Sequence, residues 1–456
     1  MDLVIVSNRG PRSFRRSADG HLTAHPSAGG LASGLATLAT ATNATWVAAA
    51  MTDADREAAA TASVGEAGVR FRFLSPDRTR YRMAYDEISN ATLWFLYHRL
   101  FDLARQPRFD RRWWEAWEAY REINRCFAVA VMDAAPSGAT VLVQDYHLAL
   151  VGRWLREDRP DLRTVHFTHT PFCDPGDIAV LPGSVAAELL TGMTSHHACG
   201  FHTTRWADAF AGCCRAVLGV GPRTFAAPLG PDVEGLRTTA VSAECEAAAS
   251  RLDAVVGGRH MILRVDRIEP SKNLLRGFLA YDELLATRPE WRSRVVFVAV
   301  VYPSRDHLAD YAAYRREVQE LVGRVNERWA EPGWTPIMLD TEDNLPRSVA
   351  ALGRYDVLLV NPIRDGLNLV AKEGPLLNGR DGVVLLSREA GAWSELGATA
   401  IGLDPFDVHA TAGALLVALT MSDAERRVHA AGVRAAAGAR GPRDWLADQL
   451  ANAGVG

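Results

Sequence analysis

Residues 355–378 read YDVLLVNPIRDGLNLVAKEGPLLN, and the fold follows from how that stretch breaks. Val357 to Val360 form an unbroken apolar run, the pattern of a strand buried on both faces of a parallel sheet. Asn361, Pro362, Asp365 and Gly366 then interrupt regular structure. A helix is expected from about Asn368, a favoured N-cap. The N–H groups of Leu369 and Val370 would stand free at its start, at the carboxyl edge of the sheet, as an anion site. Such a site contributes about 0.3–2 kcal/mol, so it needs cationic help. Lys372 and Glu373 follow in the first turn. Pro375 is expected to end or kink the helix early, because its ring does not fit an interior turn.

Cationic composition points to the same place. Of 50 Lys plus Arg residues, only Lys272 and Lys372 are lysines. A chain this biased keeps Lys where a compact, rotatable ammonium is needed and a planar fork will not serve. The plainer alternative, chance survival at the surface, is weighted more heavily for Lys372 than for Lys272.

The bulk properties exclude several classes. A length of 456 residues implies two or three domains, and 48% apolar with 23% charged residues is that of a globular protein. A net charge of −4 argues against nucleic-acid or membrane partners. The start, MDLVIVSNRGP, lacks the long apolar run of a signal peptide, and no run suits a spanning helix. The six cysteines show no C-x-x-C pairing and read as reduced thiols, so a cytoplasmic location is expected. His196, His197 and Cys199 fit no zinc spacing, and no metal or cofactor is expected.

Working outward, two βα series are visible. The first has strands at 3–6, 140–144 and 164–168, with helices near 111–127 and 148–157. The tryptophans Trp114 and Trp117 of the helix at 111–127 read as core. The second series has strands at 261–265, 295–301, 336–340, 357–360 and 383–387, with helices between them. Pro228-Leu229-Gly230-Pro231 reads as a crossing between domains. The domains are set at 1–232 and 233–425, with a helical tail, 426–456, returning to the first. The fold class is therefore α/β, two doubly wound Rossmann-like domains facing across a cleft. Arg9, Arg267, Lys272 and Arg305 follow strand ends and imply a phosphorylated ligand. Asp145 and His169 lie at carboxyl ends of strands, where such sheets deliver functional residues. Gly29 and Gly30 open a helix and permit close approach to a phosphate, or equally close helix packing. G-x-G-x-x-G after the first strand and a P-loop are both absent, which disfavours dehydrogenases and P-loop enzymes.

The ordered motifs VSNR with SAGGL, Tyr85 nine residues before Trp94, QDYHL, HTPF, GFHT, RIEPSKN, YPSR, GWTP and RDGLNLVAKE resemble the trehalose-6-phosphate synthases. These are retaining glycosyltransferases of the GT-B fold. The resemblance implies that Arg9 and Arg305 bind the phosphate of glucose 6-phosphate, while Tyr85, Trp94 and Asp145 hold that acceptor. It gives Gly30 the donor phosphates and Arg267 and Lys272 the pyrophosphate. His169 and Asp365 then contact the donor glucose, aided by the amides of Asn368, Leu369 and Val370, and Glu373 takes the ribose. The implied reaction moves glucose from a nucleoside diphosphate to C1-OH of glucose 6-phosphate, giving α,α-trehalose 6-phosphate, with no metal. The partners are small molecules, and a homo-oligomer is left open.

Departures cluster around the nucleotide. Cys173 follows HTPF where the family has Pro. Arg267-Ile268-Glu269-Pro270-Ser271-Lys272-Asn273 stands for R-L-D-Y-S-K-G, and Gly374-Pro375-Leu376-Leu377-Asn378 replaces Tyr-Val-Ala-Ala. The Lys-Asn pair and the E-x-P-L-x-N pattern are similar to GDP-using pseudo-glycosyltransferases. Asn344 falls where the family holds the base, and its amide can serve guanine O6 or N1–H. GDP-glucose is therefore the expected donor. The alternatives are a pseudo-glycosyltransferase joining cyclitols through nitrogen, or a non-catalytic sugar-phosphate sensor.

Overall fold

A computed structural model describes residues 2–17, 19–26, 44–61, 65–66 and 69–454. The chain divides into two compact units. One holds the residues up to Leu229 and again those from Pro442; the other is Gly230–Gly441. The division at the tail therefore falls at Pro442. Helix Asp423–Ala437, expected with the tail, packs on helix Val370–Leu377 of the second unit.

The second unit is built on six parallel strands in the order Ile337–Asp340, Val295–Pro303, His260–Ile268, Val357–Val360, Val383–Ser387, Ile401–Leu403. In chain order this is 3-2-1-4-5-6, the doubly wound arrangement. Its direction reverses between His260–Ile268 and Val357–Val360, and the crevice at that switch point is where such sheets take ligands. Val357–Val360 is buried at every position, because helices shield a central parallel strand. Leu274, Phe278, Phe297, Leu359, Leu385 and Leu415 form the middle of its core.

The first unit has the same logic. Strand Leu3–Arg9 pairs in parallel with Thr45–Ala49 on one side and Thr140–Gln144 on the other. Val69–Leu74 extends the first side; Arg163–Thr168, Ala198–Phe201 and Thr224–Ala226 extend the second. The switch point therefore lies between the ends of Leu3–Arg9 and Thr140–Gln144, where Arg9 and Asp145 emerge.

Several local expectations change. Helix Arg111–Ala134 buries Trp113 and Trp117, whereas Trp114 is 37% exposed. Positions 113, 117, 120 and 124 share the buried face, and Trp114 lies outside that stripe. Pro375 neither ends nor visibly breaks its helix, which runs Val370–Leu377. Pro375 has no N–H to give to the ladder, yet it lies inside the helix. The terminal carbonyls are taken by Arg434, whose Nε donates to Pro375 O and Nη2 to Asn378 O, each at 3.1 Å. The aromatic-rich stretch after Tyr81 is an eleven-residue π-helix, Met83–Leu93. Such wide turns concentrate at functional sites, and here the side chains of Asn90 and Thr92 bond the carbonyls of Tyr85 and Glu87, five residues back.

Candidate active site

In the second unit the switch point is organised by Arg264, which is fully buried. Its Nε donates to Asp266 Oδ2 at 3.1 Å, Nη1 to Asn361 Oδ1 at 2.6 Å, and Nη2 to the carbonyl of Lys272. One guanidinium thus ties the ends of two neighbouring strands to the turn that presents Lys272. Asn273, in the left-handed region at φ 61°, adds two bonds, to Asn361 O at 3.0 Å and Pro405 O at 2.7 Å.

Lys272 Nζ lies 2.5 Å from Asp365 Oδ2 and 3.9 Å from Asp266 Oδ1. Burial pulls its pKa down, but Asp365 and Asp266 outweigh that and hold the ammonium above its ordinary value. Asn368 has φ 79°. Its Nδ2 donates to Asp365 Oδ2 at 3.2 Å, and its Oδ1 accepts from Ala371 N–H at 3.2 Å. The residue thus caps the helix headed by Leu369 and Val370 while fixing Asp365. The loop is pinned from behind: Asp365 N–H reaches Glu389 O, and Gly391 N–H reaches Asp365 O, both at 3.1 Å. A Cβ on Gly391 would lie 1.9 Å from Gly366 O, so only glycine permits this approach.

Arg267 and Arg305 meet on one carboxylate. Glu269 Oε1 accepts from Arg305 Nη1 at 3.2 Å and Ser304 Oγ at 2.9 Å, and Arg267 Nη1 lies 3.1 Å from it as an ion pair. Arg305 is itself at φ 53°, and its Nη1 also donates to Tyr311 Oη at 3.0 Å. Arg267, Lys272, Arg305, Asp365 and Asn368 are therefore gathered at one sheet edge.

Glu373 lies one turn into the helix, and burial with Asp232 as a like-charged neighbour pushes its carboxyl up to about 7. Lys372 points elsewhere. It is fully buried with Nζ 2.8 Å from Glu395 Oε1, and burial lowers its pKa against that pairing. Its survival as Lys is thus explained by a closed internal ion pair. Asn344 caps helix Leu345–Arg354, its Oδ1 accepting from Arg347 N–H at 3.0 Å. No hydrogen bond found among the described residues joins it to the Lys272 cluster.

In the first unit, Asp145 follows strand Thr140–Gln144 with φ 71° and ψ 167°, a conformation that costs a non-glycine residue of order 1–3 kcal/mol and tends to occur at functional sites. Its Oδ1 accepts from His169 N–H at 3.1 Å. The His169 ring sits in a directed chain. Leu229 N–H donates to His202 Nδ1 (3.4 Å), so His202 carries its proton on Nε2 and gives it to His169 Nδ1 (3.1 Å). His169 then donates from Nε2 to Gln144 Oε1 (3.0 Å), and Gln144 Nε2 donates to Gln449 Oε1 (3.1 Å). Burial, with His202 and His166 adding, keeps His169 well below its ordinary pKa, hence neutral. Trp445 of the returning helix Pro442–Asn452 packs its ring 5.6 Å from that of His169.

Tyr85, on the π-helix, stacks between Tyr81 at 5.8 Å and His147 at 5.6 Å. Trp94 is only 3% exposed and lies against His98 at 4.3 Å. Arg9 is exposed at its strand end. Gly30 lies outside the described residues. Sequence reasoning missed Arg264, Glu269, His202, Gln449 and Trp445. GFHT and RIEPSKN contain two of these, His202 and Glu269, but nothing local to Gln449 marks it. Among the described residues no group of three or more His, Cys, Asp or Glu could hold a metal ion, and no helix is long and apolar enough to cross a membrane.

Two Rossmann-like units of this topology, one with cations massed at its switch point, define a GT-B glycosyltransferase. The chain belongs to glycosyltransferase family 20, whose model matches residues 1–453, and its curated and structural neighbours are trehalose-6-phosphate synthases. It is 32% identical over 448 residues to a UDP-forming α,α-trehalose-phosphate synthase of Aspergillus fumigatus, covering 94% of this chain and 85% of that protein. It is 34% identical over 363 residues to a bifunctional trehalose-6-phosphate synthase/phosphatase of Thermoproteus tenax, and that match covers about half, 48%, of the bifunctional protein. Among solved structures, an Escherichia coli protein bound with UDP-2-fluoro glucose superposes with a TM-score of 0.87 at 27% identity, covering 99% of each chain. A UDP-forming synthase of Burkholderia xenovorans in complex with glucose 6-phosphate gives 0.86 at 27% identity, covering 100% of each.

Proposed function

We propose that this chain transfers glucose from a nucleoside diphosphate glucose to C1-OH of glucose 6-phosphate, with retention, to give α,α-trehalose 6-phosphate. The observation that carries this reading is the convergence of Arg267, Lys272 and Arg305 beside Asp365 and a helix start. That edge is suited to phosphoryl oxygens and to a sugar beside them. The relatives named as synthases support it, as do the structural neighbours holding UDP-2-fluoro glucose and glucose 6-phosphate.

In this reading Arg267, Lys272 and the amides of Leu369 and Val370 hold the pyrophosphate and stabilise its charge as it leaves, without a metal. The bond from the anomeric carbon to the phosphate oxygen breaks while the acceptor oxygen bonds to the same face. The leaving phosphate takes the acceptor's proton. Asp365 and His169 hold the donor glucose, and Arg9, Arg305, Tyr85, Trp94 and Asp145 hold glucose 6-phosphate. The enzyme contributes positioning and preorganised charge. Lys272 must exchange Asp365 for phosphate when the donor enters.

The donor base is proposed to be guanine, but on a narrower footing. Asn344 spends its oxygen on the helix cap, and the remaining amide hydrogens serve guanine O6 or uracil O4 alike. Selection then passes to Asp343, which can accept from guanine N1–H and N2–H. The Aspergillus fumigatus and Burkholderia xenovorans proteins are named UDP-forming.

The test is nucleoside diphosphate release from a panel of sugar nucleotides with glucose 6-phosphate, and NMR of the product. An α,α-linked disaccharide phosphate is expected, with GDP-glucose preferred to UDP-glucose. No release with any glucose nucleotide rejects the activity; preference for UDP-glucose rejects the role given to Asp343.

A further inference from the structure

We propose that Glu269 is a positioning residue shared by the two phosphate-binding arginines, and that it sets the affinities for nucleotide sugar and sugar phosphate together. This rests on the function proposed above, in which Arg267 faces the donor pyrophosphate and Arg305 the acceptor phosphate. Nothing in that reading gives Glu269 a task of its own.

The geometry is specific. A single oxygen, Oε1, accepts from Arg305 Nη1 at 3.2 Å and the Ser304 hydroxyl at 2.9 Å and pairs with the Arg267 guanidinium, whose Nη1 lies 3.1 Å away. The side chain is 1% exposed. A buried carboxylate that loses its cations is strongly penalised, so the arginines cannot both leave it. Each must present its remaining N–H groups to a phosphate while one nitrogen stays on Glu269. The guanidinium fork permits this, since five donors radiate from a rigid plane.

The carboxylate is in turn fixed by its backbone. Glu269 N–H bonds Arg267 O at 2.9 Å, and Glu269 O accepts from Lys272 N–H at 3.0 Å. The residue therefore sits inside the turn that presents Lys272. Burial alone would push its carboxyl up. Arg267, Arg305, Lys272 and Ser304 reverse that and hold it at about 2, so it is ionised throughout the working range. Arg305 needs such an anchor because its backbone is in the left-handed region, at φ 53°. A residue that only filled space here would not link two ligands. One oxygen held by both arginines does, because loosening one guanidinium changes the charge the other balances.

The experiment measures binding by titration calorimetry in the parent, Glu269→Gln and Glu269→Asp. The probes are glucose 6-phosphate alone and whichever of UDP or GDP the parent binds. Melting curves confirm that each variant folds. The Gln variant keeps shape and one acceptor but loses the charge. Its affinity for both probes is expected to fall about ten- to a hundredfold, and KM for both substrates rises while kcat falls less. Glu269→Asp keeps the charge one methylene short and weakens both by a smaller factor; it carries the test if Glu269→Gln does not fold. Weakening of one probe alone, or of neither, overturns the proposal. A parent that binds neither probe overturns the proposed function, and this inference with it.

Discussion

At the scale of single residues, the two lysines separate cleanly. Lys372 is closed in an ion pair with Glu395, whereas Lys272 reaches Asp365 and Asp266 at the sheet edge. Its 13% exposed side chain leaves little room for a planar fork. Lys272→Arg is expected to lower kcat/KM nearly as far as Lys272→Ala, and a fully active Arg variant would reject the role. Glu373 gives a pH dependence. In the ribose-binding role the resemblance implies for it, hydroxyls would donate to its ionised form, and burial with Asp232 pushes its carboxyl up to about 7. Affinity for a nucleotide sugar should therefore rise between about pH 6 and 8, and Glu373→Gln should flatten the curve. The sign for stability is opposite. The native carboxyl keeps a proton that the unfolded chain releases near 4.5, so its contribution declines as pH rises from there through 7.

At the scale of elements, Asn344 serves the helix Leu345–Arg354 before it serves any ligand. Asn344→Asp keeps the accepting oxygen and should leave melting unchanged, whereas Asn344→Ala should cost about 1 kcal/mol. If the amide hydrogens also touch the base, both variants lower kcat/KM for GDP-glucose and UDP-glucose alike; unchanged values in both reduce Asn344 to a cap. The strands of the second sheet were legible because central parallel strands are apolar throughout, as in VLLV at 357–360. The π-helix was not legible. Its aromatic residues follow neither the strand nor the helix period, and its wide turns are held by Asn90 and Thr92, which look like ordinary loop formers. Pro375 misled for a related reason: a partner from another helix, Arg434, takes the carbonyls at that helix end.

At the scale of the whole molecule, the motif residues Arg267, Lys272, Asp365 and Asn368 could be gathered from sequence because each follows a strand end or heads a helix. The support beneath them could not. Arg264 is one arginine among many until its three bonds are seen, and Gln449 lies 305 positions from the glutamine it accepts from. Removing that acceptor is expected to matter. Gln449→Leu should destabilise the first unit by about 1–3 kcal/mol through the stranded amide of Gln144. It should also lower kcat by releasing His169; thermal melts and steady-state rates check the pair. A stability loss with unchanged kcat would make the chain of bonds to His169 purely structural.

The second unit is an insertion in the first, entered at Gly230 and left at Gly441. Translation therefore completes the inserted unit while its host still lacks one helix. Until residues after Pro442 leave the ribosome, Gln144 has no Gln449 and His169 has no Trp445 beside it. A chain cut before Pro442 holds every strand of the sheet that carries Lys272 and lacks the helix that sets His169. The histidine of the host unit is thus fixed by a helix made only after the whole inserted unit.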